Sequence, residues 1–283
     1  MGFKRHRFFA PAGVLFLFCG SAFADIAFST TGANAGTGNV EAAQAMFDLV
    51  GTTLTVTLTN TATAADIEKK FQPADILTAV FFGTTKIDAT PETASLTAGS
   101  KEVNANGTAY TGSQPLGGEW AYKGGFSPGI TDPAGGPKLV NGISSSGLNI
   151  FSDGNFGCTN GKNGTCQTLG GQEWGIVPNS FVPKTGTNVK SPLERDSVTF
   201  VLSVGQGFKL SSINNVVFQY GTSTSEFSMQ GVNTADVTPE PSYLFVLGPC
   251  LAALIFRRIR RKSELTEQAQ AEPDQGVSVV PEA

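Results

Sequence analysis

Two short segments carry the residue types best suited to chemistry on sugars. They read Gly-Gly-Glu-Trp and Gly-Gln-Glu-Trp, and they end at Trp120 and Trp174, the two tryptophans of the chain. A pair of carboxyl groups can act as the acid and the nucleophile of a glycosidase, and an indole ring can stack on a sugar. Glu119 and Glu173 are therefore the candidate catalytic pair, and the two tryptophans are candidate sugar-binding residues. The competing interpretation puts both glutamates on the solvent face of strands whose tryptophans fill the core.

The sequence contains few residues suited to other kinds of catalysis. The one histidine is His6, which lies in an N-terminal segment that we expect to be removed. The mature body therefore lacks the imidazole that Ser-His-Asp and Cys-His systems and the usual catalytic zinc sites require. For calcium, the best local cluster is Asp153-Gly154-Asn155, but it lacks the remaining spacing of a calcium loop and fits a plain turn. We expect a protein that is not an enzyme, with no catalytic residues, no metal site and no cofactor.

Two cysteines belong to the body of the chain. Cys158 and Cys166 bracket a short loop rich in Gly and Asn. In an oxidising compartment such a pair most simply forms a local disulfide. Closing so short a loop would stabilise the fold by about 2–3 kcal/mol.

The body between residues 25 and 238 is typical of an all-β domain. The segment Leu54–Leu58 alternates apolar residues with Thr, as a half-buried strand does. The strands that we predict are Ala45–Val50, Thr53–Leu58, Ile76–Phe82, Asp196–Val204 and Ile213–Tyr220, with one short helix at Ala64–Phe71. Together with 34 glycines and 15 prolines, this pattern predicts an antiparallel β-sandwich or jelly-roll-like body. The stretch from Thr84 to Ser191 is expected to form long, ordered loops.

The charge of the body argues against nucleic acid as a partner. Residues 25–238 contain eleven Lys and Arg and seventeen Asp and Glu, a net charge of about −6. Residues 25–238 contain no basic run and no interleaving of basic with aromatic residues, and nucleic-acid binding normally requires a basic patch.

The first 24 residues have the organisation of a secretory signal peptide. Lys4, Arg5 and Arg7 are followed by the apolar run Phe8–Cys19 and then by Ala22-Phe23-Ala24. Signal peptidase requires small residues at two positions before its cut, and Ala22 and Ala24 meet this requirement. The segment therefore predicts cleavage after Ala24 and export of the mature protein.

Residues 239–262 have three parts in a fixed order. Pro239-Glu240-Pro241 comes first, the uncharged apolar run Tyr243–Phe256 follows, and a basic cluster ends the segment. The members of that cluster are Arg257, Arg258, Arg260, Arg261 and Lys262. The run is short for a membrane span, and the basic cluster predicts a single transmembrane helix with the body outside and the tail inside.

This three-part order resembles the PEP-CTERM sorting signal of exopolysaccharide-producing bacteria. The resemblance implies that exosortase, a membrane-embedded transpeptidase, cuts near the Pro-Glu-Pro triplet and hands the protein to the cell surface. The acidic tail at residues 263–283 departs from the family pattern, which ends just after the arginines, and its composition is typical of disorder. An anchor that is never cut is the competing interpretation.

The predicted function is a structural or adhesive one at the cell surface or in the exopolysaccharide matrix. The expected partners are signal peptidase, exosortase, the membrane and, as a candidate ligand, exopolysaccharide. The alternatives are a carbohydrate-binding module that uses Trp120 or Trp174 and a glycosidase that uses Glu119 and Glu173. The predicted localisation is a transient membrane anchor followed by release to the surface or the medium.

Overall fold

The computed structural model describes residues 24–112, 116–152, 155–156, 169, 171–182 and 188–234. These residues form thirteen strands and three 3₁₀ turns of three residues each. The strands are β1 (Ala24–Ala33), β2 (Val40–Val50), β3 (Thr53–Asn60), β4 (Leu77–Phe82), β5 (Ala89–Leu96), β6 (Lys101–Val103), β7 (Ala121–Gly124), β8 (Asn141–Ser144), β9 (Ile176–Val177), β10 (Leu193–Arg195), β11 (Ser197–Val204), β12 (Val216–Tyr220) and β13 (Ser228–Asn233). The 3₁₀ turns are Pro73–Asp75, Leu116–Gly118 and Leu210–Ser212. The prediction of an all-β fold is confirmed.

The strands join into one nearly closed sheet. Their hydrogen-bonded order is β5-β11-β3-β2-β1-β13-β12-β4-β9-β10-β6, and β8 and β7 branch from β4. The described pairs are antiparallel except for β9 with β10. The sequence predicts an antiparallel β-sandwich or jelly-roll-like body. The structure has one continuous sheet, because β1 pairs with β2 on one side and with β13 on the other.

The hairpin of β2 and β3 shows how the sequence sets the register. β2 and β3 pair from Ala43 with Asn60 to Val50 with Thr53, around a turn in which Gly51 has φ +63°. Glycine adopts this left-handed conformation without steric cost. On β3 the apolar residues alternate with threonines, so the former point into the core and the latter point outward. The period of two thus gives the sheet one apolar and one polar face.

The main core lies between two halves of the sheet. The ring of Phe47 on β2 packs edge-on against Phe82 on β4, with centroids 5.2 Å apart. Trp120 packs against Phe200 on β11, with centroids 4.9 Å apart. These contacts join β1, β2, β3, β5 and β11 to the strands around β4 and β12, and all four rings are buried.

Two predictions about local structure are wrong. Ala64–Phe71 is not helical, because Asp66 forms a local turn in which its carboxylate accepts hydrogen bonds from the backbone N–H and the hydroxyl of Thr63, both at 2.7 Å. Such side-chain bonds compete with helix formation. The stretch from Thr84 to Ser191 was expected to form loops but contains β5, β6, β7, β8 and β9.

The expected transmembrane helix, Tyr243–Phe256, lies outside the described residues. In the part of the chain that the structure describes, no helix is long and apolar enough to cross a membrane.

Candidate functional site

The outward side chains of β1, β2, β3, β11 and β5 form a continuous surface, named here the hydroxyl face. Many of them are Thr or Ser, and they come from every strand except β2. The exposed ones are Ser29, Thr31, Thr53, Thr55, Thr57, Thr59, Thr199, Ser203, Thr90, Thr93 and Ser95. Each of these residues is partly or fully exposed, so the array of hydroxyl groups faces solvent.

The strand register aligns these hydroxyl groups in rows across the sheet. Thr57 lies opposite Thr199, and Thr199 lies opposite Ser95. The hydroxyl of Thr199 is 2.9 Å from that of Thr97 and 3.4 Å from that of Thr57. Neighbouring strands are about 4.8 Å apart and residues on the same face recur about every 6.7 Å along a strand, so the hydroxyls occupy a regular lattice.

The hydroxyl face has little charge. Its five strands contain no Lys or Arg. The acids that point outward from the regular pairs are Asp25 and Asp48, which lie directly opposite each other near one margin. A hydroxyl both donates and accepts hydrogen bonds. A neutral array of hydroxyls therefore suits a ligand that also carries many neutral donors and acceptors, such as a polysaccharide.

The candidate pair Glu119 and Glu173 lie near enough for their charges to interact. Burial raises the pKa of Glu119, and the negative charge of Glu173 raises it further. A raised pKa suits a general acid. However, Glu119 is only 4% exposed, so this carboxyl does not line an open surface that a sugar chain could reach.

The two tryptophans belong to the core. Trp120 is 0% and Trp174 is 3% exposed. Trp174 packs edge-on against Tyr110, with ring centroids 5.8 Å apart. A sugar cannot stack on either indole in this arrangement, so the structure does not support sugar binding through the tryptophans. Their role agrees with the competing interpretation, in which they fill the core.

An open cleft of about 650 Å³ lies beside β7. Its walls include Lys123, Phe126, Pro128, Leu148 and Asn149. The Nζ of Lys123 donates a hydrogen bond of 2.7 Å to the carbonyl of Ile150. Among the residues that the structure describes, no Asp or Glu lines this cleft, so these residues do not offer the paired carboxylates of a glycosidase.

Several predicted site residues lie outside the described residues. They are Ala22 of the signal peptidase site, Cys158 and Cys166, the Pro239-Glu240-Pro241 triplet and the basic cluster Arg257–Lys262. Asp153 and Gly154 are also outside, whereas the side-chain amide of Asn155 donates to the carbonyl of Gly118. Ala24 is the first residue of β1.

A buried polar cluster that the sequence analysis missed lies where β2 begins. Glu41 and Asp75 are both 0% exposed. The side-chain amide of Asn39 donates to Asp75 Oδ2 at 2.9 Å, and that of Asn34 lies 3.4 Å from Asp75 Oδ1. Burial, and after it the neighbouring carboxyl of Asp75, raises the pKa of Glu41 to about 10. Glu41 is embedded in the apolar run of β2, which was the available signal that its side chain is buried.

A second buried carboxyl lies on β10. Glu194 is 0% exposed, and its register partner on β6 is Glu102. No hydrogen-bond donor in the described part of the chain contacts either carboxylate oxygen of Glu194. Burial, with a further contribution from the charge of Glu102, raises the pKa of Glu194 to about 8. This carboxyl is therefore largely protonated at neutral pH.

Comparisons with protein-family models, with curated proteins and with solved structures find no match to this chain. Within the described residues, no group of three His, Cys, Asp or Glu is placed to hold a metal ion.

Proposed function

We propose that the protein is an exported surface or exopolysaccharide-matrix protein with a structural or adhesive role, and that the hydroxyl face is its adhesive surface. The observation that carries the proposal is the lattice of Thr and Ser side chains on four of the five strands of the hydroxyl face, none of which contains Lys or Arg. The mechanism is display, in which a rigid sheet presents many weak hydrogen-bonding groups at fixed spacing. Multiple contacts along one polymer raise the overall affinity although each contact is weak.

The sorting steps rest on the two ends of the sequence. Signal peptidase removes residues 1–24, and Tyr243–Phe256 then holds the chain in the membrane as a single transmembrane helix. Exosortase cuts near Pro239-Glu240-Pro241 and releases the body, while the basic cluster and the acidic tail remain behind. The order of triplet, apolar run and arginines supports this proposal.

Processing at the triplet has a direct measurement. We expect the intact mass of the protein recovered from the cell surface or medium to lack residues 1–24 and everything after about Pro241. The mass should also rise by about two daltons on reduction if Cys158 and Cys166 form a disulfide. Recovery of a chain that still contains the basic cluster and the acidic tail would show a permanent anchor instead and would contradict the sorting step.

Removal of two central hydroxyls tests the adhesive face. Thr57→Val with Thr199→Val keeps the β-branched shape and strand propensity but deletes the hydroxyls that pair across β3 and β11. We expect binding to neutral soluble polysaccharides, such as dextran, galactomannan or xyloglucan, to weaken at least about tenfold. This change corresponds to about 1.4 kcal/mol, and affinity electrophoresis measures it.

The matched control for this variant lies in the turn between β12 and β13. Thr222 and Thr224 are exposed there, and Thr222→Val with Thr224→Val makes the same chemical change away from the face. This control should bind like the wild-type chain. If polysaccharide in the gel slows both double variants as much as it slows wild type, the hydroxyl face is not the adhesive surface.

A further inference from the structure

The cleft beside β7 contains a cation that no carboxylate of the described residues balances. Lys123 is half-buried in the cleft wall, and its Nζ donates to the carbonyl of Ile150, another residue of that wall, at 2.7 Å. An ammonium group has three N–H donors, so two remain for a ligand. Among the described residues, no Asp or Glu lies within ion-pair distance of Lys123. A cation in a cleft attracts an anion, because the low-dielectric walls focus its electric field.

The rest of the described lining combines apolar surface with hydroxyl groups. Phe126 and Leu148 belong to an apolar cluster that packs on the outside of β4 and β12. Ser127, Thr131 and Ser228 add hydroxyls, and the first two of these residues are exposed. Each hydroxyl can both donate and accept a hydrogen bond. Such a lining suits a sugar ring, which has C–H groups on its faces and hydroxyls around its edge.

Backbone hydrogen bonds hold the two loops that form the cleft. In the first loop, Ile130 and Leu139 exchange hydrogen bonds of 2.8 and 2.9 Å. In the second, the N–H of Ile150 donates to the carbonyl of Gly147 at 2.8 Å. Leu148 lies within this turn with φ 46°, in the left-handed region. Non-glycine residues are uncommon there and cluster at ligand sites. The walls are therefore formed before a ligand arrives, which lowers the cost of binding.

We propose that this cleft binds a carboxylated sugar of the hexuronate class, and that Lys123 binds its carboxylate. The cleft volume of about 650 Å³ lies within the range of roughly 300–1,000 Å³ that is typical of small-molecule sites. One Lys balances one carboxylate. A phosphate group carries nearly two negative charges, and no Arg lines the described part of the cleft. A fatty acid would leave the hydroxyls of the lining without partners, whereas a sugar acid pairs with them.

This site is separate from the hydroxyl face. The described residues that line the cleft lie on β7, in the loops before and after β8, in the turn before β13 and on β13 itself. None of them belongs to β1, β2, β3, β5 or β11. The hydroxyl face is proposed to bind neutral polysaccharide, whereas the cleft selects for a negative charge. Either proposal can therefore fail without the other.

Sugars that differ only at C6 test the cleft. With the full chain, we expect saturation-transfer NMR to detect binding of glucuronate or galacturonate, and not of glucose or galactose. Lys123→Met keeps the apolar stem and removes the charge, so this variant should weaken uronate binding at least about tenfold. Lys209→Met removes the same charge from an exposed position outside the cleft. It is the matched control and should bind like wild type.

A second variant leaves Lys123 in place. Ser127→Trp fills the cleft from an exposed position, so it should abolish uronate binding while the protein unfolds at the same temperature as wild type. Lys123→Arg restores the charge and should bind uronate more tightly than Lys123→Met. Absence of binding to both uronates, or equal binding of the uronates and their neutral counterparts, would overturn the proposal. Wild-type affinity in Lys123→Met or in Ser127→Trp would overturn it as well.

Discussion

Glu194→Gln should make the protein much more stable than wild type at pH 9 while leaving the two about equally stable at pH 5. The pKa of Glu194 is about 8 in the folded protein against an ordinary value of 4.5. The folded state holds the carboxyl proton of Glu194 more tightly than the unfolded state does. The free energy of unfolding of wild type is therefore highest below about pH 4.5, and this contribution is lost as the pH rises through 8. The loss is about 1.4 kcal/mol per pH unit, or roughly 5 kcal/mol over the whole range.

The charged groups around Glu194 support this direction. Glu102 faces it from β6, and a second carboxylate nearby makes ionisation of Glu194 harder. Arg195 does not compensate, because its guanidinium donates to the carbonyls of Gly107 and Phe181 at 3.4 and 3.3 Å. Glutamine has nearly the same shape and no charge. The variant therefore removes the cost of ionisation without opening a cavity.

Thermal unfolding from pH 5 to pH 9 measures the effect. At pH 9 the Glu194→Gln variant should melt roughly 10–20 °C above wild type, given about 2–4 °C per kcal/mol for a domain of this size. Glu92→Gln, which removes one exposed carboxylate, should follow the wild-type curve. Parallel curves for wild type and Glu194→Gln across this pH range would show that Glu194 does not titrate in the way inferred.

Phe200→Ala should destabilise the protein by about 3–5 kcal/mol, as expected for deletion of a buried aromatic ring. Phe200 is 0% exposed on β11. Its ring centroid lies 4.9 Å from that of Trp120 and 5.2 Å from that of Phe156. The deletion therefore leaves a cavity where β11 meets the chain around β7. The surroundings collapse into this cavity only in part, so the cost of the cavity adds to the transfer free energy lost with the ring.

Denaturant unfolding monitored by tryptophan fluorescence measures this loss, because Trp120 is in contact with the deleted ring. Ser203→Ala on the same strand is the control, since Ser203 is exposed on the other face and should change stability by less than about 0.5 kcal/mol. A similar midpoint for wild type and Phe200→Ala would mean that the two halves of the sheet do not share this core.

The strands that the sequence predicts best are those with a clean period of two. The alternation in Leu54–Leu58 places three apolar side chains inside and the threonines outside, and the structure has that pattern on β3. The alternation depends only on the geometry of one strand. The same threonines are a visible signal for the hydroxyl face. Their alignment with Thr199, and that of Thr199 with Ser95, depends on pairings between residues more than 100 positions apart.

The strands that the sequence analysis missed are short or rich in small residues. β8 reads Asn-Gly-Ile-Ser and is fully buried because it lies between β4 and β7. Nothing in those four residues predicts this burial, since the neighbours supply it. The buried carboxyls were missed for the same reason. Glu194 and Asp75 are polar in the sequence, and only the three-dimensional packing removes them from water.

The two ends of the strand order restrict how copies of this body can associate. At one end, β5 contains Pro91, which has no N–H to donate, and its pairing with β11 shifts register beside Glu92. At the other end, β6 has only three residues. Proline, irregularity and shortness each discourage the addition of a further strand from another molecule. Crowded copies of this body should therefore remain individual units rather than grow into cross-β fibres. Under the proposed function, the bound polysaccharide would then supply the cohesion between them.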